Sequence, residues 1–484
     1  MTSEGRTGGQ YKPLSDDQIE KIHETALSIL EGVGFTYESG LDDTLDMLAA
    51  AGARVEKDKN RIFFPRALVE AQVRRAPEKV ILYSRDGRND LDLSGDRVYM
   101  GTGGMAINVV DLESGKSRQS VLADIHNIAW LVERLDNIHF FHRPCTAHDI
   151  SMDVHDINAF YAGITGTNKH YMGGAKDVTV FQDIFKMATI VAGSQEKVIE
   201  RPFFSISACF AISPLKLCTQ STLIMQEACR HMIPVALSSA PMAGSTSPRT
   251  MAGTLALVHA EEMAGLTIGQ LTQPGAPLLY GGIPGVANMR TMNYMGGGAE
   301  FGMMNAAIHQ LAARIKVPNY NSSGLTDAKI PDAQAAWEKA VTTLLAAMGG
   351  SNYIHHAAGM LESMLTVAYE QYVIDDEIIS MSARVLQGID VDEDHLAFDA
   401  IAEVGPGGNF IMSPHTLKYL RSEFIEGNGL SDRLIRDEWE AGGSVDARER
   451  AKQMVRDILS ENSPACIGEE VNKAIKERFD IRTA

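Results

Sequence analysis

The run Asn319-Tyr320-Asn321-Ser322-Ser323-Gly324-Leu325-Thr326-Asp327-Ala328-Lys329-Ile330-Pro331-Asp332-Ala333-Gln334-Ala335 is the densest set of hydrogen-bonding side chains in the chain. A strand-like start passes into a polar loop, and Pro331 then opens a helix. Loops held by rigid elements are where binding and catalytic groups concentrate, so Ser323 and Asp327 are candidates for substrate contact and for acid–base work. His355 and His356 supply imidazoles that can orient a substrate or carry a proton near neutral pH. Strand alternation would place one on each side of a sheet, which disfavours one metal shared by both, and no metal is expected. Arg143 can grip a carboxylate bidentately or pair with an acidic residue. Tyr280 and Tyr320 offer ring faces that attract an ammonium group, each worth roughly 0.5–2 kcal/mol once water is excluded. Gly281 stands beside Tyr280 in a Gly-rich, small-residue segment that leaves room for a ligand. Lys176 and Lys329 are Schiff-base candidates for an aldolase or lyase, although neither lies in an apolar stretch. The candidate set is thus His355, His356 and Asp327 for catalysis, with Tyr280, Tyr320, Arg143, Ser323 and Gly281 for substrate.

These residues need a scaffold that brings them together. From about residue 97, short apolar runs ending in Gly, Ser or His alternate with helical periods, the βα signature. Strands are expected at Val98–Gly101, Ile138–His142, His170–Gly174, Phe203–Cys209, Pro234–Ser239, Pro277–Gly281, Asn319–Ser323 and Ser351–His355. A helix follows each, the eighth at Glu362–Ile374 with a further helical period at Asp376–Gln387. The pattern predicts an α/β fold, a (β/α)8 TIM barrel over 97–385, with an open doubly wound sheet as runner-up. Residues 1–96 read as an N-terminal helical cap or small subdomain, and 386–484 as a helical extension packed on the barrel or on a second subunit. The run Gly101-Thr102-Gly103-Gly104 lacks the GxGxxG spacing of a dinucleotide site. Barrel chemistry sits at the C-terminal ends of the strands, where most of the candidates fall. Those ends are short of carboxylates, leaving glycosidase or metal-assisted hydrolase mechanisms little to work with.

Composition agrees. Among 484 residues, 62 acidic against 44 basic side chains give a net charge of −18, which disfavours nucleic acid and anionic lipid and suits a cationic ligand. No apolar run approaches the roughly 18 residues of a membrane span, and the N-terminal MTSEGRTGGQYKPLS has no apolar export core, so a cytoplasmic location is expected. The five cysteines form no CxxC pair, and 43 Gly with 23 Met point to open strand ends and a soft interior.

Leu325-Thr326-Asp327-Ala328-Lys329 with Pro331-Asp332-Ala333-Gln334-Ala335, Gly281-Gly282-Ile283-Pro284, Gly296-Gly297-Gly298-Ala299-Glu300 and Val404-Gly405-Pro406-Gly407-Gly408-Asn409-Phe410 before Pro414-His415-Thr416 resemble, in that order, the trimethylamine corrinoid methyltransferase family. The resemblance implies a TIM-barrel enzyme that moves a methyl group from a methylated amine to the Co(I) of a small corrinoid-binding protein docked at the barrel mouth. It implies no cofactor bound directly, the cobalamin being carried by that partner. Archaeal trimethylamine members use pyrrolysine late in the barrel, whereas this sequence has only common residues and no such electrophile in Asn321–Ile330. The likeness therefore points to the non-pyrrolysine branch, glycine betaine methyltransferase-like, with a quaternary amine as substrate. Demethylation of trimethylamine, a tertiary amine, is the alternative within the resemblance. A Schiff-base aldolase or lyase and a non-catalytic quaternary-amine binding protein are the alternatives outside it, and a homo-oligomer is expected.

Overall fold

The computed structural model describes residues 5–425, 429–464 and 466–482; the first four residues of the N-terminal run read above for export lie outside them. Eight strands form a parallel sheet: β1 (Arg97–Met100), β2 (Phe141–His142), β3 (Tyr171–Gly173), β4 (Phe204–Ala208), β5 (Val235–Leu237), β6 (Leu278–Gly281), β7 (Asn319–Ser322) and β8 (Tyr353–His355). Neighbours pair in chain order from β2 to β8, and β8 pairs with β1 through Tyr353↔Tyr99 and Ile354↔Met100. Between β1 and β2 the ring is completed by His139, whose backbone N–H donates to the Met100 carbonyl at 2.8 Å. The Thr102 hydroxyl adds a donated bond to the His142 carbonyl (2.6 Å) and accepts one from the His142 N–H (2.8 Å). The sheet is a closed TIM barrel, and the open-sheet alternative is excluded. A short strand, Arg6–Thr7, runs antiparallel along the start of β1.

Around the sheet lie α1 (Leu122–Arg134), α2 (His155–Gly166), α3 (Val178–Ala192), α4 (Thr219–Arg230), α5 (Met251–Thr272), α6 (Ala299–Arg314), α7 (Ala333–Gly349) and α8 (Tyr369–Gln387). No helix among the described residues is long and apolar enough to cross a membrane. Seven of the eight follow the sequence periodicity. The eighth begins later than expected and runs unbroken through Asp376. Its predicted first turns are instead the short turn Glu362–Met364 and the strand Thr366–Ala368, which with Met360–Leu361 joins Asn108–Val110 and Ser117–Gln119 in a four-stranded sheet. Glu362, Ser363 and Met364 take φ of 50°, 52° and 82°, a left-handed conformation that costs an L-residue roughly 1–2 kcal/mol and cannot continue a right-handed helix. It is held by backbone bonds from Glu362 and Ser363 to the carbonyls of Ala328 and Thr326, so the loop after β8 is clamped to the loop after β7.

Alternation in the strands divides the core in two. Tyr99, Phe140, Met172, Ala236, Leu279, Tyr320 and Tyr353 point into the lumen and form one cluster with Val80, Leu82, Leu91 and Leu93. Those last four belong to a hairpin just before β1, Val80–Leu82 paired with Leu91–Leu93, which plugs the N-terminal end of the barrel. The rest of the apolar core lies between sheet and helices. The N-terminal helices Asp16–Ser28, Asp42–Ala50 and Arg66–Val73 all pack on α5. The first starts at a capping box in which the Ser15 side chain meets the Gln18 backbone and the Gln18 side chain meets the Ser15 N–H. Clad in this way, α5 is buried on every side from Thr254 to Gln270, which is why its sequence has no polar stripe. At the other end of the chain, Ala447–Ser460 packs on α8 and α1, and Glu469–Arg478 on α3.

Lys339 of α7 and Asp375 of α8 form a fully buried ion pair at 3.2 Å. Lys339 also donates to the carbonyls of Gly324 and Met360, and Asp375 accepts the Gly359 N–H at 2.7 Å. The pair thereby ties the loops after β7 and β8 to both helices. Lys339→Met, which leaves the carboxylate buried without its partner, is expected to lower stability by about 3–5 kcal/mol. The double variant Lys339→Met/Asp375→Leu is expected to recover part of that loss, read by denaturant titration.

Candidate functional site

The inward side chains at the C-terminal end of the barrel form one uncharged, aromatic group. The Tyr320 hydroxyl lies 3.0 Å from His355 Nδ1, and their ring centroids are 4.3 Å apart. The His142 ring, at the end of β2, stacks on His355 at 5.4 Å and 21°. The His356 ring follows at 3.6 Å from His355, with Nδ1 2.7 Å from the Ser322 hydroxyl. Ser207 and Ser238, their hydroxyls 3.2 Å apart, stand beside Tyr320, and Cys209 follows the end of β4, its thiol pKa raised by burial.

The two histidines do not sit on opposite faces, as alternation suggests. The strand ends at His355, and His356 adopts φ 64°; that reversal swings its ring back beside its neighbour. The glycine run after β1 makes room for both. A Cβ on Gly103 would stand 3.0 Å from His355 Nδ1, and one on Gly104 (φ 119°) would meet Met360 at 2.2 Å and His356 at 3.0 Å. Those glycines bring backbone onto imidazole and are not a nucleotide fingerprint.

Burial sets the electrostatics. Removal from water pushes the His142 pKa down to about 3 and holds His355 and His356 well below the usual imidazole range, so all three are neutral at physiological pH. The same burial raises the Tyr320 phenol above its ordinary value. His142 Nδ1, His355 Nε2 and the Ser323 hydroxyl are buried with no hydrogen-bond partner in the protein. Each such atom costs about 1–3 kcal/mol unless a ligand or water satisfies it.

The remaining candidates are engaged elsewhere. Tyr280 points away from the mouth: its hydroxyl lies 2.8 Å from His259 Nδ1 on α5, and His259 Nε2 is 2.8 Å from His23. Gly281 is required by strand packing, since a Cβ there would overlap the Leu237 carbonyl. Arg143 is buried and donates to Asp156 at 2.7 Å. Burial alone would raise the Asp156 pKa, but His155 and Arg143 together hold it down to about 2. The guanidinium meets Asp156 through Nη1 and the Met105 sulfur through Nη2, while its Nε is buried without a partner. Asp327 accepts from the Gly296 N–H (3.1 Å) and from the Ser363 hydroxyl, joining the loops after β6, β7 and β8. Ser323 lies just past β7, its N–H donating to the His355 carbonyl at 3.1 Å. Lys176 and Lys329 are exposed, the first paired with Asp153 at 3.0 Å and the second donating to the Asp327 carbonyl at 2.6 Å. Neither has the apolar surroundings a Schiff-base amine needs. Among the described residues no group of three His, Cys, Asp or Glu is placed to hold a metal.

Sequence reasoning passed over His142 and the buried carboxylates Glu261 and Glu262. His142 was visible only as a strand end. The signal for the glutamates was two consecutive carboxylates inside the otherwise apolar helix His259-Ala260-Glu261-Glu262-Met263-Ala264-Gly265. Glu261 accepts from the Ser213 hydroxyl (2.8 Å), the Leu215 N–H (2.9 Å) and the Ser239 hydroxyl. Glu262 accepts the Gly281 N–H at 2.7 Å, and burial pushes its pKa up to about 8 from 4.5. A folded-state pKa above the unfolded one means that the fold holds a proton the unfolded chain has released. That stabilisation is complete below pH 4.5 and is lost as pH rises to about 8. Glu262→Gln, neutral at every pH, is expected to remove a slope of up to about 1.4 kcal/mol per pH unit across that window, seen by comparing denaturant midpoints of the two proteins.

Against known proteins, residues 4–484 match the model of the family described as trimethylamine methyltransferase (MTTB). The chain is 34% identical to a trimethylamine methyltransferase MttB of Desulfitobacterium hafniense strain DSM 10664 / DCB-2, over 96% of this chain and 92% of that protein. It is 32% identical to a glycine betaine methyltransferase of Desulfitobacterium hafniense strain Y51, over 96% of each. A trimethylamine methyltransferase MttB of Methanosarcina barkeri strain Fusaro / DSM 804 follows at 31%, over 98% of this chain and 95% of that protein. Among solved structures, dihydropteroate synthase from Stenotrophomonas maltophilia overlies 64% of this chain and 99% of its own at 11% identity and a TM-score of 0.37, which adds nothing to what the closed barrel shows. With a family match over nearly its whole length and relatives above 30% identity along it, the chain belongs to the trimethylamine methyltransferase family of enzymes.

Proposed function

We propose that this methyltransferase takes a methyl group from a quaternary amine, glycine betaine or a similar compound, and delivers it to a reduced corrinoid carried by a separate small protein. The observation that carries this reading is the uncharged, aromatic mouth: Tyr320 and three neutral imidazoles, with neither a paired carboxylate nor an unengaged cation beside them among the described residues. A quaternary nitrogen already bears the positive charge that makes it a leaving group. When its N–CH3 bond breaks, the nitrogen keeps the electron pair and departs as a neutral tertiary amine, so no proton has to be supplied. A reduced corrinoid supplies the nucleophile when it is present. The chain's part is to bind and align, with ring faces toward the ammonium and the methyl group facing out of the mouth. Tyr320, His355 and His356 take those roles. Ser323 offers its unpartnered hydroxyl beside them, and Asp327 acts at a distance by holding the loops in register.

The rim supports delivery to a protein partner. Met105, Ile107, Met152, Met289, Met292 and Leu365, from loops after four of the strands, are each between 43% and 63% exposed, and methionine-rich surfaces adapt well to a docking protein. Self-association fits a different face. More than half of the exposed large apolar side chains among the described residues lie between Met381 and Val445, and the short helices Glu393–Leu396, Phe398–Val404, Pro414–Tyr419 and Arg436–Ala441 contain no buried residue. The chain enters this segment from the end of α8, at the plugged floor of the barrel, opposite the mouth, so the proposed occupant is a second copy of the chain.

Incubation with reduced cobalamin and a panel of methylated amines tests the activity through the demethylated product. Dimethylglycine from glycine betaine, or the corresponding product from another quaternary amine, is expected; turnover of trimethylamine alone would overturn the substrate class. Tyr320→Ala is expected to lower kcat/KM at least tenfold with folding intact by circular dichroism. Light scattering after size exclusion is expected to give at least twice the 52.6 kDa chain mass, with Phe398→Asp/Phe424→Asp shifting it toward the monomer.

A further inference from the structure

His142 is fixed and unsatisfied at once. Its backbone is gripped on both sides by the Thr102 hydroxyl, at 2.6 and 2.8 Å, while its ring Nδ1 has no partner although the residue is only 4% exposed. His355 presents the same situation 5.4 Å away. The Tyr320 hydroxyl lies 3.0 Å from His355 Nδ1, and when the phenol donates there the proton of the neutral His355 ring stands on the unpartnered Nε2. The two rings are nearly parallel at 21°, and both lie against Tyr320, at 6.5 Å for His142 and 4.3 Å for His355. A neutral imidazole always carries one N–H, so this pair can present two donors to one acceptor. Each nearby cation already has a partner, Arg143 in Asp156, Lys176 in Asp153 and Lys329 in the Asp327 carbonyl, although Arg143 Nε, like the two imidazole nitrogens, is buried without one.

Resting on the quaternary-amine reading, we propose that His142 and His355 together bind an oxygen acceptor on the end of the substrate remote from the ammonium group, and that His142 sets the preference for substrates that carry one. Aromatic faces hold any trimethylammonium group alike, whereas a site with two buried unpaired donors rejects a ligand that leaves them unpaired. The acceptor is a carboxylate or a hydroxyl oxygen, and both satisfy the pair.

The test is calorimetric titration of the full chain with glycine betaine, choline and tetramethylammonium, repeated on His142→Phe and His142→Leu so that a fold defect in one variant does not end the experiment. The wild-type chain is expected to bind at least one of the two oxygen-bearing amines tenfold or more tighter than tetramethylammonium, and comparison of those two identifies carboxylate or hydroxyl. In a folded His142 variant the preference is expected to shrink to threefold or less while tetramethylammonium affinity stays within about threefold. Equal binding of all three by the wild type, or an unchanged preference in a folded variant, overturns the assignment of His142 and leaves the quaternary-amine reading standing. Absence of binding by all three to the wild type overturns that reading, and the role of His142 with it.

Discussion

A closed barrel of short parallel strands has to fill its lumen with alternate side chains from every strand, and each polar atom sent inward must find a partner there or cost stability. The lower lumen meets this constraint mainly with apolar and aromatic packing, Phe140 stacked on Tyr353 at 3.6 Å above the hairpin plug, with the Tyr353 hydroxyl left unpartnered. The upper lumen meets it only in part. Tyr320, Ser322 and two imidazoles satisfy one another, while one nitrogen on each of His142 and His355 is left over. The site is the place where the packing solution is left incomplete.

The layers outside the sheet make that incompleteness tolerable. The buried Lys339–Asp375 pair, the Asp327 clamp and the left-handed turn at Glu362–Met364 all act on the loops after β7 and β8, the loops that carry Ser323 and His356. Strain and buried charge sit beside the imidazoles, as expected where geometry is held against local preference. On the other flank, Glu262 holds the Gly281 N–H, and Glu261 the Ser239 hydroxyl, so α5 reaches through its own layer to steady the ends of β5 and β6. The N-terminal helices make this possible by removing α5 from water.

Several errors in reading the sequence share one cause. Leu278-Leu279-Tyr280-Gly281 is apolar throughout, so nothing local says which of its faces is inward; Tyr280 turned out to face α5. Arg143 sits at a strand end with the right chemistry for a carboxylate, but its partner Asp156 is on α2 and is brought to it only by packing. The start of α8 differs from the sequence expectation because Glu362 and Met364 are good helix formers, and only backbone contacts with Thr326 and Ala328 hold this turn left-handed. His142 passed unnoticed because a buried histidine with an unpaired nitrogen looks the same in sequence as one with a partner.

What the sequence determined by itself was the order and period of the elements, the eight strand positions and the family, because hydrophobic spacing and motif order are local properties carried by consecutive residues. The uncharged mouth was legible in outline, since the strand ends visibly lacked carboxylates. The tertiary structure alone decided which face of each strand turned inward, which charged groups were already paired, and which imidazole nitrogens were left without a partner. Those are relations between residues far apart in the chain, and burial, which gives them their energy, exists only once the barrel has closed.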